Sequence, residues 1–376
     1  MVKRPKITIV SGEISGDQYA ATLASNIKKL NPEIEITGIG GKKLTSTGIR
    51  IIAENKLSGA FGFSSVIKNF RSHLKFFNTC LKAIKNECPD LIVFIDNPGF
   101  NLSLAKKLVD FRKIYYIPPK IWAHNYQRIF LIRHLFEAVI VIFPFEKQIY
   151  EKENVPAYYF GHPVIDLIPG EISNENFFNE IGSNKDAFII GIFPGSRQEE
   201  IKYILPLLVM AASRVKKIYS EATFVVSCAD EQLYSDIKTI LEQYGEHWYI
   251  WKKSPHVLAK NSKISLCASG TMNLEIALCG TPMIVFYRLS GFNYLIAKLI
   301  VKLNYVSPVN IICGKKVVEE FIQNVNWQKF QRVFSQLICE SGEVRKKQMA
   351  QFKNIRQILG QANVSEKIAD FIIKRV

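Results

Sequence analysis

Short apolar runs alternate with longer amphipathic segments along the first half of the chain. Runs with the length and composition of buried strands lie at 7–10, 34–39, 91–96, 113–117 and 138–145. Segments with apolar residues at helical spacing lie between them, notably at 16–30 and 101–111. Because strands that alternate with helices usually form a parallel sheet covered by helices, this pattern predicts a doubly wound α/β domain.

The second half of the chain repeats this alternation. Strand-like runs lie at 187–193, 222–228, 248–251, 264–267 and 282–287, and helix-like segments lie at 198–217, 230–243 and 271–279. The stretch 161–176 between the halves is rich in Pro, Gly and polar residues, which is typical of a linker. We therefore predict an α/β protein with two Rossmann-like domains that face each other across a cleft, with ligands beyond the carboxyl ends of the strands.

The predicted domain boundaries follow from this division. An N-terminal domain is expected at 1–165 and a C-terminal domain at 166–345, followed by a basic, helix-like tail at 346–376. The tail is expected to pack back on the N-terminal domain. Its exchange between the subunits of a homodimer is a further hypothesis, since the pattern does not fix the oligomeric state.

The composition indicates the class of protein, and the net charge indicates the kind of partner. A chain of 376 residues with 48% hydrophobic content is typical of a folded protein with about two domains. The 49 basic and 33 acidic residues give a net charge of +16, which predicts an anionic partner. Nucleic acid, an anionic membrane and phosphorylated substrates all fit, although the sequence shows neither an RNP-like aromatic pair nor a basic helix.

The cysteines and the apolar runs indicate the compartment. The seven cysteines are scattered, and none forms a C-x-x-C pair, so we expect reduced thiols in a cytosolic protein without a zinc site or disulfides. The apolar run near the N-terminus is too short for a signal peptide. Because no run of about 18 apolar residues exists, we expect a cytosolic protein that is at most associated with a membrane.

The stretch "GIFPGSRQEEI" (191–201) leads from a predicted strand into a predicted helix through a turn that contains Arg197. Ser196 and Glu199 have the spacing of a capping box, in which each side chain pairs with a backbone N–H of the helix start. The same turn could bind a phosphate, because a helix N-terminus favours anions and Arg197 could add a two-pronged contact. Both interpretations remain open.

Two further turns carry carboxylates at the ends of predicted strands in the first half. In "VFIDNPGFNL" (93–102), Asp96 is either a turn-forming residue before Pro98 or a general base that accepts a proton from a substrate hydroxyl. In "VSGEISGDQY" (10–19), glycines and carboxylates flank a helix start without the pattern of a dinucleotide or P-loop site.

The stretch "CASGTMNLEIALCGTPMIVFYR" (267–288) supplies a second turn in the other half. Ser269, Gly270 and Thr271 either cap a helix or form a cradle for an anion or a sugar. Glu275, in the first turn of that helix, is either a solvated acid or an acceptor for paired ribose hydroxyls.

Segment 61–77 mixes aromatic and basic residues at helical spacing. Its apolar positions at 66, 70, 74 and 77 favour a helix that faces the core, while the interleaved cations are also typical of an interfacial membrane helix. The pattern alone slightly favours the core.

A series of motifs, in order, resembles the lipid-A-disaccharide synthase family. They are "SGEISGD", "GIGG", "FIDNPGFN", "PPKIWA", "IFPFEKQIYEK", "FGHPVID", "FPGSRQEEI", "SGTMNLEIALCGTPMIVFYR" and "NYVSPVN", and they span about residues 7–325. The resemblance implies an inverting glycosyltransferase of the GT-B fold that acts in lipid A biosynthesis. It would join UDP-2,3-diacylglucosamine to 2,3-diacylglucosamine 1-phosphate, giving the β-1,6-linked disaccharide 1-phosphate and UDP, with no metal ion or other cofactor.

The resemblance also implies roles for individual residues. Asp96 matches the proposed general base. The UDP side comprises Ser196, Arg197, Ser269, Gly270, Thr271, Glu275, Tyr287, Arg288 and Asn310. The sugar and acceptor side comprises Glu13, Ser15, Gly16, Asp17, Asn101 and Trp122. A patch that meets acyl chains on the cytoplasmic face of the inner membrane comprises Phe61, Phe63, Val66, Ile67, Phe70, Arg71 and Leu74, which reverses the preference for a core role.

The sequence departs from the family pattern at several positions. Gly99 stands where a second Asp is common, His124 and Asn125 stand where Trp and Arg are usual, and Val309 replaces a proline. A related UDP-sugar enzyme, such as a UDP-N-acetylglucosamine 2-epimerase or a glycosyltransferase with a soluble acceptor, remains the alternative, and it would not need the apolar patch.

Overall fold

The computed structural model describes residues 4–12, 14–54, 70–170, 172, 176–245, 248–291, 294 and 304–376. The chain divides into two compact units, each built on one parallel β-sheet. Unit 1 comprises Met1–Asp166 and Leu359–Val376, and unit 2 comprises Leu167–Ile358. The two Rossmann-like domains expected from the alternation of strands and helices are therefore present.

Unit 1 contains a seven-stranded sheet in the order β3-β2-β1-β4-β5-β6-β7. Its strands are β1 (Lys6–Ser11), β2 (Glu35–Gly40), β3 (Arg50–Glu54), β4 (Leu91–Ile95), β5 (Lys113–Tyr116), β6 (Ala138–Val141) and β7 (Ala157–Tyr159). Its helices are α1 (Ile14–Leu30), α2 (Lys42–Thr45), α3 (Phe70–Glu87), α4 (Pro98–Ala105), α5 (Arg128–Leu135), α6 (Pro144–Glu151) and α7 (Val164–Leu167), which ends one residue beyond the unit.

Unit 2 contains a six-stranded sheet in the order β10-β9-β8-β11-β12-β13. Its strands are β8 (Ile189–Phe193), β9 (Thr223–Ser227), β10 (Trp248–Trp251), β11 (Ile264–Ala268), β12 (Met283–Tyr287) and β13 (Glu319–Ile322). Its helices are α8 (Phe177–Glu180), α9 (Gln198–Lys216), α10 (Tyr234–Glu242), α11 (Pro255–Asn261), α12 (Met272–Leu278), α13 (Pro308–Cys313), α14 (Trp327–Ile338) and α15 (Glu343–Leu359).

The central strands explain why the sheets form and where ligands are expected. Every residue of β4, β8 and β11 is buried, as expected for parallel strands covered by helices on both faces. The strand order reverses beside β1 in unit 1, between β1 and β4, and beside β8 in unit 2, between β8 and β11. In open α/β sheets such a reversal leaves a crevice at the carboxyl ends of the strands, where ligands bind.

Two predicted boundaries in unit 1 are wrong for local chemical reasons. The strand predicted at 138–145 ends at Val141, because Pro144 occupies the first turn of α6, where its missing N–H costs nothing. The helix predicted at 101–111 begins at Pro98, because the side chain of Asn97 caps it by accepting from Phe100 N–H.

The last helix, α16 (Val364–Ile373), lies in unit 1 and packs against α1. The division after residue 358 differs from the boundary expected at 345, because α15 is one continuous helix whose Gln348 bonds to the backbone of Met283 in unit 2. The side chain of Asp166 accepts from the backbone N–H groups of Val364 and Ser365 at 3.2 and 2.6 Å. This carboxylate therefore satisfies two otherwise unpaired donors at the start of α16.

Asp166→Ala is expected to lower the free energy of unfolding by about 1 to 2 kcal/mol, because it removes the acceptor for two N–H groups at a helix start. Chemical unfolding followed by circular dichroism measures the change. Asp370→Ala, which removes an exposed ion pair with Lys374 on the same helix, is the control and should change the stability by less than about 0.5 kcal/mol. Equal stability of the two variants would contradict the capping role.

Among the described residues, no helix is both long enough and apolar enough to cross a lipid bilayer.

Candidate functional site

Asp96 lies immediately after β4, in a backbone conformation that is rare for residues other than glycine. Asp96 and Asn97 have φ angles of 52° and 41°, in the left-handed region. The carbonyl oxygen of Asp96 accepts hydrogen bonds from Tyr115 Oη at 2.8 Å and from Asn101 Nδ2 at 2.7 Å. These bonds hold the turn in its costly conformation and keep the partly exposed Asp96 side chain at the carboxyl end of the sheet.

Three buried polar atoms around this turn have no hydrogen-bond partner within the part of the chain that the structure describes. They are Ser11 Oγ, Asn97 Nδ2 and Asn101 Oδ1. Ser11 lies opposite Ile95 in the register of β1 and β4, so it ends its strand beside the turn. Unsatisfied buried polar groups are uncommon in folded proteins, and a cluster at the carboxyl end of a sheet marks a candidate ligand site. Sequence reasoning missed Ser11 and Asn97.

The glycines of the first turn allow close packing against the Asp96 turn. A Cβ atom on Gly16 would lie 3.5 Å from Asp96 Cβ, and one on Gly12 would lie 2.2 Å from Asn97 Nδ2. A side chain at position 12 would therefore displace Asn97. The predicted site residue Glu13 and the side chain of Ser15 lie outside the described residues.

Asp17, also expected on the sugar side, holds a neighbouring loop. Its buried carboxylate accepts from the backbone N–H groups of Gly41, Lys43 and Leu44 at 2.7, 2.9 and 3.4 Å. It thereby fixes the glycine turn that follows β2. Both oxygens are engaged, so we assign Asp17 a structural role in this loop.

Trp122 is fixed by a buried carboxylate that sequence reasoning missed. Its Nε1 donates to Glu146 Oε1 at 2.9 Å, while Glu146 Oε2 accepts from the N–H groups of Ile142 and Phe143. Burial raises the pKa of Glu146, and the Trp122 hydrogen bond and the charge of Lys120 oppose this shift. The "FPFE" motif thus orients the partly exposed indole.

In unit 2, the turn after β8 differs in detail from the expected capping box. Helix α9 begins at Gln198, and Glu200, not Glu199, accepts from the N–H groups of Ser196 and Arg197 at 2.8 and 3.2 Å. A Cβ at position 195 would lie 2.1 Å from Glu200 Oε2, which explains the glycine there. These two backbone donors are therefore already paired. The Arg197 side chain is 52% exposed, and its Nη1 lies 3.8 Å from Glu200 Oε1.

Tyr287 is the last residue of β12 and Arg288 follows it, at the carboxyl end of the same sheet. Burial raises the pKa of Tyr287, the charge of Glu200 raises it further and that of Arg197 lowers it. The Tyr287 hydroxyl therefore lies within electrostatic reach of the turn after β8. Arg288 is exposed.

The turn after β11 is held by a buried asparagine. Ser269 Oγ donates to the carbonyl of Val306 at 2.7 Å, and Gly270 and Thr271 are partly exposed. Asn273 Nδ2 donates to the carbonyl of Ala268, the last residue of β11, at 2.8 Å. In unit 1, Asn101 Nδ2 likewise donates to the carbonyl of Ile95, the last residue of the equivalent strand β4, and to that of Asp96. Each unit therefore has an asparagine that holds the turn at its strand reversal.

Asn310, expected on the UDP side, is fully buried and fully hydrogen-bonded. Its amide group bonds to the backbone of Val317 and Val318 and to Glu320 Oε1. Glu320 in turn accepts from the N–H groups of Val306 and Ser307. Asn310 therefore supports the loop that holds Ser269, and it presents no unpaired polar atom to a ligand.

The structure describes only the end of the predicted membrane patch. Phe61, Phe63, Val66 and Ile67 lie outside the described residues, as does the side chain of Phe70, the first residue of α3. Arg71 is exposed and Leu74 is 46% exposed, whereas Phe77 packs edge-on against Phe100. The helix thus has one face against the core and one face toward solvent.

The structure describes the surroundings of three residues that depart from the family pattern. Gly99 is exposed and a side chain there would meet nothing within 4 Å. Asn125 has a left-handed φ of 55°, a conformation that asparagine tolerates better than arginine does. Burial, with the charges of Arg128 and Lys120, lowers the pKa of His124, which favours a neutral imidazole at the position where tryptophan is usual.

Comparisons with known proteins identify the family. The model of the lipid-A-disaccharide synthetase family matches residues 7–372. The lipid-A-disaccharide synthase of Trichlorobacter lovleyi is 34% identical over 325 residues, covering 86% of this chain and 85% of its own. That of Coxiella burnetii is 30% identical over 369 residues and covers 97% of both chains.

Solved structures share the fold at low identity. UDP-GlcNAc 2-epimerase from Neisseria meningitidis bound to UDP-GlcNAc has a TM-score of 0.62 at 16% identity, covering 98% of this chain and all of its own. The glycotransferase of kitacinnamycin has a TM-score of 0.60 at 11% identity and covers both chains completely. Because epimerases and glycosyltransferases share this fold, the family match, and not the fold, disfavours the 2-epimerase alternative. The chain belongs to the lipid-A-disaccharide synthetase family, and it is a glycosyltransferase.

Proposed function

We propose that this chain transfers 2,3-diacylglucosamine from UDP to the 6-hydroxyl group of 2,3-diacylglucosamine 1-phosphate. The bond between O6 of the acceptor and the anomeric carbon of the donor forms as the bond from that carbon to the diphosphate breaks. UDP leaves with the electron pair of the broken bond, and the proton of the 6-hydroxyl passes to a carboxylate. Attack opposite the leaving group inverts the anomeric centre and gives the β-1,6 linkage.

Asp96 is the proposed base, and its setting is the observation that carries the proposal. The carboxylate follows β4 at the strand reversal, in a left-handed turn held by Tyr115 and Asn101, and unsatisfied polar atoms of Ser11 and Asn97 lie beside it. Strained turns and unsatisfied donors that cluster at one point are typical of a site completed by its substrate. A carboxylate there can accept the hydroxyl proton as the sugar bond forms.

Unit 2 is the proposed site for UDP. Phe193 of β8 pairs with Cys267 of β11, and Ala268 of β11 pairs with Phe286 of β12. The turns that follow these three parallel strands therefore lie at the same edge of the sheet. This edge supplies the exposed Arg197 and the partly exposed Ser269–Thr271 turn. Negative charge develops on the diphosphate as it leaves, and a guanidinium placed there stabilises it. We assign Arg288 and Tyr287 to the same site.

The acyl dependence of turnover tests the proposal against a related UDP-sugar enzyme. We expect the chain to consume UDP-2,3-diacylglucosamine in the presence of the acylated acceptor, and to leave unacylated UDP-glucosamine essentially unused. Equal turnover of the two donors would favour a glycosyltransferase with a soluble acceptor. Interconversion at C2 of an unacylated UDP-sugar would favour an epimerase.

We further propose that the chain works at the cytoplasmic face of the inner membrane, through its net positive charge and the segment around α3. Exposed Arg71 and half-exposed Leu74 combine a cation with apolar surface, which favours an anionic bilayer interface. Both proposed substrates carry acyl chains and negative charge, so a basic apolar surface suits their delivery.

A variant with Arg71→Glu and Leu74→Asp is expected to bind vesicles of phosphatidylglycerol and phosphatidylcholine at least about tenfold more weakly, since a basic residue near such a surface contributes about 1 kcal/mol. Vesicle flotation measures the binding. Arg332→Glu with Val344→Asp changes an exposed cation and an exposed apolar residue on unit 2 and is the control. Equal flotation of wild type and the α3 variant would contradict this surface.

A further inference from the structure

Glu275 is linked to a histidine that no motif singled out. Glu275 lies in the first turn of α12, and its Oε2 is 2.7 Å from His256 Nε2 on α11. The side chains of Glu275 and His256 are only 14% and 10% exposed. This contact is therefore shielded from water on most sides, which strengthens it relative to an exposed pair.

The direction of the hydrogen bond follows from the chemistry of its two ends. An ionised carboxylate can only accept, so His256 Nε2 carries the proton and donates it to Glu275. Ser254 Oγ lies 3.5 Å from Nδ1, the other ring nitrogen, on the opposite side of the imidazole. The ring is thus held between two polar groups, and its donor points at one oxygen of Glu275.

The second oxygen of Glu275 is left for another partner. Oε1 makes no hydrogen bond with any residue that the structure describes. It is also not one of the buried polar atoms that lack a partner in the described part of the chain. A carboxylate fixed through one oxygen presents the other in a defined direction, as when a second group orients a metal ligand or a catalytic base. Ser269, Gly270 and Thr271 form the turn directly before α12, and Glu275 lies in the first turn of that helix.

We propose that His256 is a positioning residue for Glu275: its Nε2–H holds Oε2 so that the carboxylate accepts the 2′- and 3′-hydroxyl groups of the ribose of UDP. This inference rests on the proposed function, and it adds Glu275, on the helix that follows the Ser269–Thr271 turn, to the proposed UDP site. It predicts that His256 affects the recognition of ribose without touching the nucleotide. A role confined to holding α11 against α12 would instead affect stability and all nucleotides alike.

Calorimetric titration of the full chain with UDP and with 2′-deoxy-UDP separates these roles. Wild type should bind UDP about tenfold or more tightly than the deoxy nucleotide, since the 2′-hydroxyl bonds to a charged group. His256→Leu should lose most of this preference, and UDP affinity should fall by about tenfold. His256→Gln should keep it, because the glutamine amide nitrogen can replace Nε2 as a donor.

The controls distinguish failure of this inference from failure of the proposed site. If Glu275→Ala, which removes every side-chain acceptor at this position, and wild type show the same preference for UDP, Glu275 does not bind the ribose, and both assignments are wrong. If Glu275→Ala loses the preference but His256→Leu keeps it, the UDP site stands and the role of His256 is wrong. Equal losses in His256→Leu and His256→Gln would also overturn the donor role. Should His256→Leu fail to fold, His256→Asn, whose amide is too short to reach Glu275, takes its place with the same expected loss.

Discussion

Asp96→Asn is expected to lower kcat by about 10²- to 10⁴-fold, because an amide cannot accept the proton that the acceptor hydroxyl loses. The substitution preserves the size of the side chain, and asparagine tolerates the left-handed backbone at this position. Binding of UDP should change little, since the proposed UDP residues belong to unit 2. A steady-state assay of UDP release, combined with calorimetry for UDP, separates the two effects.

Asp110→Asn provides the matched control for this experiment. Asp110 is an exposed acid of the same unit and lies outside the turns that form the candidate site. Its variant should retain wild-type kcat. If the Asp96→Asn variant also has a kcat near that of wild type, Asp96 is not the base, and the left-handed turn that carries it has no catalytic role.

Arg197→Ala is expected to weaken UDP binding by about 10- to 100-fold, because it removes a charged donor to the diphosphate. The effect should extend to kcat, since negative charge on the diphosphate increases in the transition state. Arg197→Lys should recover only part of the affinity, because an ammonium group cannot make the planar two-pronged contact. Calorimetry and steady-state kinetics measure the two quantities.

Arg332→Ala tests whether the loss is specific to this arginine. Arg332 is exposed on α14 of the same unit, so its removal changes the net charge by the same amount. It should leave UDP affinity within about twofold of wild type, as expected for an exposed charge remote from the ligand. Equal losses in the two variants would mean that the nucleotide responds to overall charge and not to a contact with Arg197.

Local chemistry made the position of Asp96 predictable from the sequence. A fully apolar run followed by Asp, Asn and Pro predicts a buried strand that ends in a turn, and β4 does end at Ile95. The same reasoning located the turns after β8 and β11. Each of these depends on neighbours within a few residues, which the sequence displays directly.

Contacts between distant parts of the chain were not predictable in the same way. Asp17 bonds to a loop that begins 24 residues away, and Asn310 bonds to the Glu320 side chain and to the backbone just before β13. Both residues carry polar groups within family motifs, so the sequence could not separate a ligand contact from a structural one. Glu146 and His256 were missed because their partners, Trp122 and Glu275, lie 24 and 19 residues away in the sequence.

The fold and the short motifs differ in how much they indicate about function. The two parallel sheets were expected from periodicity, but the same fold occurs in epimerases and glycosyltransferases at 11% to 16% identity. The order of the short motifs separated these classes, because such motifs occupy the turns where the chemistry takes place. The membrane patch remains a prediction, since its residues Phe61, Phe63, Val66 and Ile67 lie outside the described residues.

Identification of the product tests the central claim most directly. The purified chain is incubated with UDP-2,3-diacylglucosamine and 2,3-diacylglucosamine 1-phosphate, and the lipid is analysed by mass spectrometry and by NMR of the anomeric proton. We predict one molecule of UDP for each molecule of a β-1,6-linked tetraacyl disaccharide 1-phosphate. An α-linked disaccharide, or release of UDP without any disaccharide, would contradict the account.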